Sequence, residues 1–208
     1  MIDTKKNNTT KDINSLTKNL ALKYISRYFV NSYKLKDYLK RKLTTLNYLT
    51  KENETEIDAI ILNILIEFEK NKYINDAFYS KTKSLSLVKK GKSISHINSK
   101  LSLLGVAEID IKQSIKTLSP EGSSYNLELL SAIYFLAKKR LGAYFNTAKK
   151  IKLPKNQQHL NEDKALEFKT KDALYKNGFS TSVINAIIKL NINEINALKE
   201  HLLSQVND

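Results

Sequence analysis

Apolar side chains recur along this chain with the period of a helix, and strand-like alternation is hard to find. The cleanest run is Ile57, Ile60, Ile61, Ile64, Leu65 and Phe68, at i, i+3, i+4, i+7, i+8 and i+11. That spacing is one apolar face of an amphipathic helix, and Thr55 with Asp58 three residues on predicts its N-terminal cap. Upstream, residues 1–15 read as a mobile polar arm, after which Leu16, Leu20, Tyr24 and Tyr28 open a first helix. Asn31-Ser32 ends it, Ser32 is the expected cap of a second helix, and Leu35, Leu39 and Leu43 give that helix its stripe.

Beyond the turn Asn71-Lys72-Tyr73-Ile74-Asn75-Asp76, with Asn75 or Asp76 as cap, the pattern predicts a helix directing Phe78, Thr82, Leu85 and Val88 inward. Gly91 suits the left-handed residue that closes it. Ile94, Ile97, Leu101 and Leu104 define the next helix, closed by Gly105, and Ile111, Ile115 and Leu118 the one after. Pro120-Glu121-Gly122-Ser123-Ser124 is the strongest linker signal in the chain. Leu127, Leu130, Tyr134, Ala137 and Leu141 then predict a stripe. Ala165, Phe168 and Leu174 predict a helix ending at Asn177-Gly178-Phe179, Ser180 a cap for Val183, Ile184 and Ile187, and Asn191 with Glu194 a last helix.

The helices group into three triplets, roughly 17–69, 75–118 and 126–190. The expected organisation is an arm (1–15), repeat 1 (16–70), repeat 2 (71–119), a linker (120–125) and repeat 3 with a C-terminal helix (126–208). The predicted fold is all-α: tandem repeats of three-helix units forming an elongated, curved body. Such short units cannot bury an apolar face alone, and they favour work by surface contact over work in a deep pocket. The scarcity of helix breakers agrees, with 5 Gly and 2 Pro in 208 residues.

Charge adds a partner class. The chain carries 35 Lys plus Arg against 21 Asp plus Glu, a formal charge of +14, which favours nucleic acid or another polyanion. Abundant Lys, Asn and Ile is also what an AT-rich genome produces, so placement is more telling than the total. Residues 81–116 hold eight basic and two acidic side chains, residues 138–155 seven and none, and residues 156–208 six and seven. With 0 Cys, disulfides and thiol chemistry are excluded, and the polar start and lack of a long apolar run predict a cytoplasmic protein without a membrane span.

Four stretches together resemble the RecX family, bacterial regulators of the RecA recombinase. They are Ala21 to Arg27 with Ser32 and Leu35 to Leu43; Tyr73-Ile74-Asn75-Asp76-Ala77-Phe78; Gly91 through Ile97 and Leu101 to Gly105-Val106; and Leu174 through Asn177-Gly178-Phe179-Ser180 and Ile184. Asn75 departs from the family's usual acidic residue, and lysine replaces many of its arginines. The resemblance implies a body that lies in the groove of the RecA filament on DNA and limits filament growth, ATP hydrolysis, recombination and the SOS response. Tyr73, Asp76, Phe78, Gly105, Gly178 and Phe179 are its repeat-packing signature here, with Tyr73 and Phe78 expected as a clasp between helices and Asp76 as a cap.

No catalytic constellation stands out. His96, His159 and His201 lack ligand or base spacing, and Gly91-Lys92-Ser93 lacks the strand and glycine of a phosphate loop. The expectation is a non-enzymatic, monomeric protein without cofactor or metal. Lys34, Lys40, Arg41, Lys81, Lys83, Lys89, Lys90, Lys92, Lys138, Lys139 and Arg140 are the candidates for RecA or DNA contact. Lysine supplies point charge without arginine's planar fork, so single- and double-stranded DNA would be held by backbone, not sequence. Two alternatives are a helix-turn-helix transcriptional regulator with residues 93–104 as recognition helix, and a helical scaffold with no nucleic-acid role.

Overall fold

The structure, a computed structural model, describes residues 3–145 and 162–205, with side chains from residue 12 onward. His159 and most of the basic stretch 143–158 lie outside the described residues. Among the described residues there are ten α-helices and no strand. They run α1 (Asp3–Ile25), α2 (Ser32–Thr45), α3 (Glu54–Lys70), α4 (Asp76–Lys89), α5 (Ile94–Leu103), α6 (Glu108–Leu118), α7 (Ser124–Lys139), α8 (Glu162–Lys176), α9 (Thr181–Ile187) and α10 (Ile192–Ser204). The order is three triplets and a final helix. It divides into two compact units: the described residues up to Tyr79 with Leu104–Val106, and Ser80–Leu103 with the described residues from Ala107 onward.

In the first unit the periodic apolar positions meet as expected. Leu35, Leu39 and Leu43 of α2 and Ile57, Ile60, Ile61, Ile64, Leu65 and Phe68 of α3 are all buried in one core. Helix α1 covers it, beginning where the polar composition predicts an arm: Ile13, Leu16 and Leu20 pack on the core beside buried Ala21. Nothing in residues 3–15 is a helix breaker, and Ile13 extends the stripe by one turn, so the helix runs back past its strong apolar signal. Lys18 of α1 pairs with Glu67 of α3 at 2.6 Å, and Lys40 of α2 with Asp58 of α3 at 2.7 Å. Each such partly exposed pair is worth about 0–1 kcal/mol, so apolar burial and not charge holds the triplet.

Several caps differ from the pattern. Asn31, not Ser32, caps α2: its Oδ1 accepts from the Lys34 N–H at 3.1 Å while its Nδ2 donates to the Leu104 carbonyl at 2.9 Å. Thr55 lies inside α3, and Asn53 before it spends its side chain on the Tyr48 carbonyl and the Thr50 N–H. Ser180 precedes α9, yet its hydroxyl donates to buried Glu128 at 2.7 Å. The Asn191–Glu194 capping box of α10 forms as expected.

In the second unit α7 is central. Leu127, Leu129, Leu130, Ala132, Ile133, Phe135 and Leu136 are all buried, while Tyr134 is half-buried and Ala137 exposed. The pattern predicts a single stripe, but a helix packed against α5, α6, α9 and α10 needs apolar residues all round. Helix α4 meets the expected inward face only in part. Within this unit Val88 is buried and Leu85 half-buried as expected, but Ser80, Ser84 and Leu87 are buried too and Thr82 is exposed; Phe78, in the first unit, is exposed as well. Serines form this contact: Ser80 and Ser84 both meet Ser114 of α6, at 3.1 and 3.0 Å, allowing close approach with every hydroxyl satisfied.

Candidate nucleic-acid interface

The basic candidates divide between the two units. In the first, Lys34 stands 5.8 Å from the centre of the Tyr79 ring, and Arg41 pairs with Asp37 at 2.8 Å. Lys40 spans both Asp58 oxygens with Glu54 at 3.7 Å; its hydrogen bond to Asp58 raises its pKa, outweighing the opposing effect of burial. These cations are committed within the fold, which lessens what they offer a polyanion.

In the second unit, Lys81, Lys89 and Lys90 are exposed, and Lys83 and Lys92 are half-exposed. Lys138, Lys139 and Arg140 are exposed at the end of α7, Arg140 with a left-handed φ of +54°. What unites the two basic runs is a backbone contact. Gly91 adopts φ +71° directly against α7, where a Cβ would stand 2.6 Å from Phe135 Cα. Ser131, one turn earlier on α7, reaches the Lys92 carbonyl at 2.7 Å and the Val88 carbonyl at 3.3 Å. Lys138 and Lys139 follow Phe135 by three and four residues, hence on the same face one turn, about 5 Å, further along. So the turn carrying Lys89, Lys90 and Lys92 lies beside the part of α7 one turn before Lys138 and Lys139, and the two runs together make a basic corner of the unit. Both runs also sit at helix C-termini, where the helix dipole favours cations.

Two residues outside the candidate set belong to this corner. His96 and Lys100 follow Lys92 at i+4 and i+8, a spacing visible in the sequence. The pKa of His96 is lowered by burial and then by the charges of Lys92 and Lys100, so it is neutral near pH 7. On α5, Ile97 and Leu101 face inward, while the exposed Ser99 hydroxyl donates to the Ser95 carbonyl at 3.0 Å. The proposed recognition surface is therefore short and partly self-satisfied.

The packing signature has mixed fates. Phe179 is buried against Phe135, ring centres 5.5 Å apart, and Gly178 (φ +77°) lets its turn approach Ser93, whose hydroxyl donates to the Asn177 carbonyl at 2.8 Å. Gly105 (φ +71°) lies under the Tyr33 ring with no room for a Cβ. Asp76 does not cap its own helix. Asn75 does, accepting from the Phe78 N–H at 2.8 Å, while Asp76 Oδ1 accepts from the N–H and hydroxyl of Ser32 at 2.8 and 3.1 Å and so secures the start of α2. Tyr73 meets Phe68 and Phe78 meets Phe29 edge-on, yet both stay mostly exposed, which is less than the expected clasp.

Two solved structures share this arrangement of helices. One, a crystal structure of regulatory protein RecX, aligns with 86% of this chain and 73% of its own at TM-score 0.58 and 19% identity. The other, RecX from Lactobacillus salivarius, aligns with 90% of this chain and 99% of its own at TM-score 0.59 and 20% identity. The chain has the RecX fold. The likeness agrees with the resemblance carried by the four sequence stretches, although no protein-family model matches the chain and no curated protein does. Within the RecX fold, no group of three or more His, Asp or Glu among the described residues is placed to hold a metal, and no described helix is long and apolar enough to cross a membrane.

Proposed function

We propose that this chain is a non-enzymatic regulator that binds the RecA nucleoprotein filament and inhibits its growth, ATP hydrolysis and strand exchange. The observation that carries this reading is the RecX fold, matched over 90% of this chain and 99% of its neighbour. The basic corner supports it from chemistry. Lysines gathered without an ion pair to a described residue attract phosphate, and their mutual repulsion is relieved when a polyanion arrives. Shape complementarity of the helical units to RecA supplies specificity, while the corner supplies attraction to single- or double-stranded DNA without reading bases. A monomer wedged against neighbouring RecA subunits would oppose either subunit addition or the conformational cycle of hydrolysis. Its place is then in the cytoplasm, in control of recombinational DNA repair and the SOS response. No observation favours the helix-turn-helix alternative.

The test is the salt dependence of binding to duplex DNA and to RecA filaments, measured by anisotropy. Replacing Lys90, Lys92 and Lys138 by Gln should lower the slope of log K against log salt by about 0.9 for each phosphate that is no longer neutralised. It should weaken filament binding without abolishing it. Unchanged slopes and affinities would remove the corner from the interface.

A further inference from the structure

The first unit holds a cleft of about 390 Å³ whose walls are aromatic and whose charge is wholly positive. One wall is the α1–α2 connection, with Arg27, Tyr28 and Phe29; the other is the α3–α4 turn, with Lys72 and Tyr73, and Phe78 from the first turn of α4. Tyr28, Phe29, Tyr73 and Phe78 are 57%, 55%, 55% and 59% exposed, an unusual concentration of uncovered rings. Three are steadied from behind, Tyr28 by Tyr24 at 5.0 Å, Phe29 by Tyr79 at 5.1 Å and Tyr73 by Phe68 at 5.3 Å, while Phe78 meets Phe29 edge-on between the two walls at 5.9 Å. Rings held in place but left open are a preorganised stacking surface. No acidic residue lines the cleft, and neither Arg27 nor Lys72 forms an ion pair with a described residue. Lys72 occupies a left-handed turn position at φ +59°, where the turns after α4, α5 and α8 use Gly91, Gly105 and Gly178. The turn therefore carries a cation at the cleft where glycine would have been less strained.

We propose that this cleft binds single-stranded DNA by stacking an unpaired base on its aromatic walls, with the flanking phosphates on Arg27 and Lys72. Aromatic rings plus cations without carboxylates match a nucleotide, which offers a π-face and a negative charge together. An apolar protein segment would use the rings but leave both cations unanswered. Duplex DNA is excluded from the mode because its bases are already stacked. The inference deepens the reading of the chain as a DNA-filament regulator and rests on it. It adds a base-dependent contact where the corner gives only a backbone one.

The experiment compares anisotropy-measured binding of the full chain to a labelled 12-nucleotide oligo-dT and to an abasic deoxyribose-phosphate chain of the same length. The two carry equal charge, so the phosphate contribution cancels. The wild-type chain should prefer oligo-dT by roughly 5- to 150-fold, the worth of one stacked base. Tyr73→Leu and Phe78→Leu, each at an exposed position and each checked by its melting curve, should bring that ratio towards one. Affinity for the abasic chain should stay unchanged. A wild-type ratio near one overturns the inference while leaving the polyanion reading intact, and makes the cleft a protein-facing surface. Retention of the ratio by both variants also overturns it. Absence of binding to either strand overturns both readings.

Discussion

At the scale of single residues, the side chains with the most defined duties are polar ones that bridge two elements. Asp76 is the clearest, a carboxylate accepting two hydrogen bonds at the first turn of α2, where the helix dipole adds to its attraction. Asp76→Ala should lower stability by about 1–3 kcal/mol in urea melts, and Asp76→Asn by less, since its amide oxygen still accepts. Equal stability of all three proteins would mean that the bridge is dispensable. Sequence reading locates the residue but assigns it to the wrong helix, because capping rules see only neighbours along the chain and Ser32 lies 44 residues away. Asn31 and Ser32 exchange roles for a related reason: both residue types cap well, and only the tertiary partner at the Leu104 carbonyl distinguishes them.

His96 gives a pH signature at the same scale. Its folded pKa is lowered by burial, Lys92 and Lys100, so the folded chain resists the proton that the unfolded chain takes up near its ordinary value of about 6.5. Stability from this group is present above that value and is lost as pH falls below it. A phosphate at the corner offsets the smaller contribution, the repulsion from Lys92 and Lys100, and leaves the effect of burial in place, so DNA binding should take up part of a proton. Affinity should rise as pH falls below about 6.5, and His96→Gln should flatten that rise. A rise that persists in the variant would place the titrating group elsewhere.

At the scale of elements, periodicity locates helices well wherever burial is apolar and one-sided, as in α2 and α3. It misassigns part of the inward face of α4, because serines form the contact with α6 and a hydrophobic pattern passes over them. It misses the centrality of α7, since it yields one stripe where nearly the whole circumference is covered. The meeting of the two basic runs is not legible at all; it depends on Gly91 lying on Phe135, 44 residues along the chain. Gly91→Ala should therefore cost about 2–4 kcal/mol, from backbone strain and from a methyl forced onto Phe135. Gly122→Ala is the control: φ is +70° there too, but nothing lies within 4 Å, so only the strain component remains. Equal melting temperatures for the two variants would show that the Gly91 approach is not tight.

At the scale of the whole molecule, the sequence carries an order of helices separated by short turns, and two RecX structures share the resulting fold at TM-scores of 0.58 and 0.59 and 19–20% identity. The central claim is that this chain of helices works on the RecA filament, and RecA's single-stranded-DNA-dependent ATP hydrolysis tests it most directly. With the cognate RecA and this protein titrated from far below to equal stoichiometry, the account predicts that hydrolysis falls at substoichiometric ratios, as growing ends or adjacent subunits are blocked. Hydrolysis unchanged up to equimolar protein, while the protein still binds DNA by itself, would contradict it.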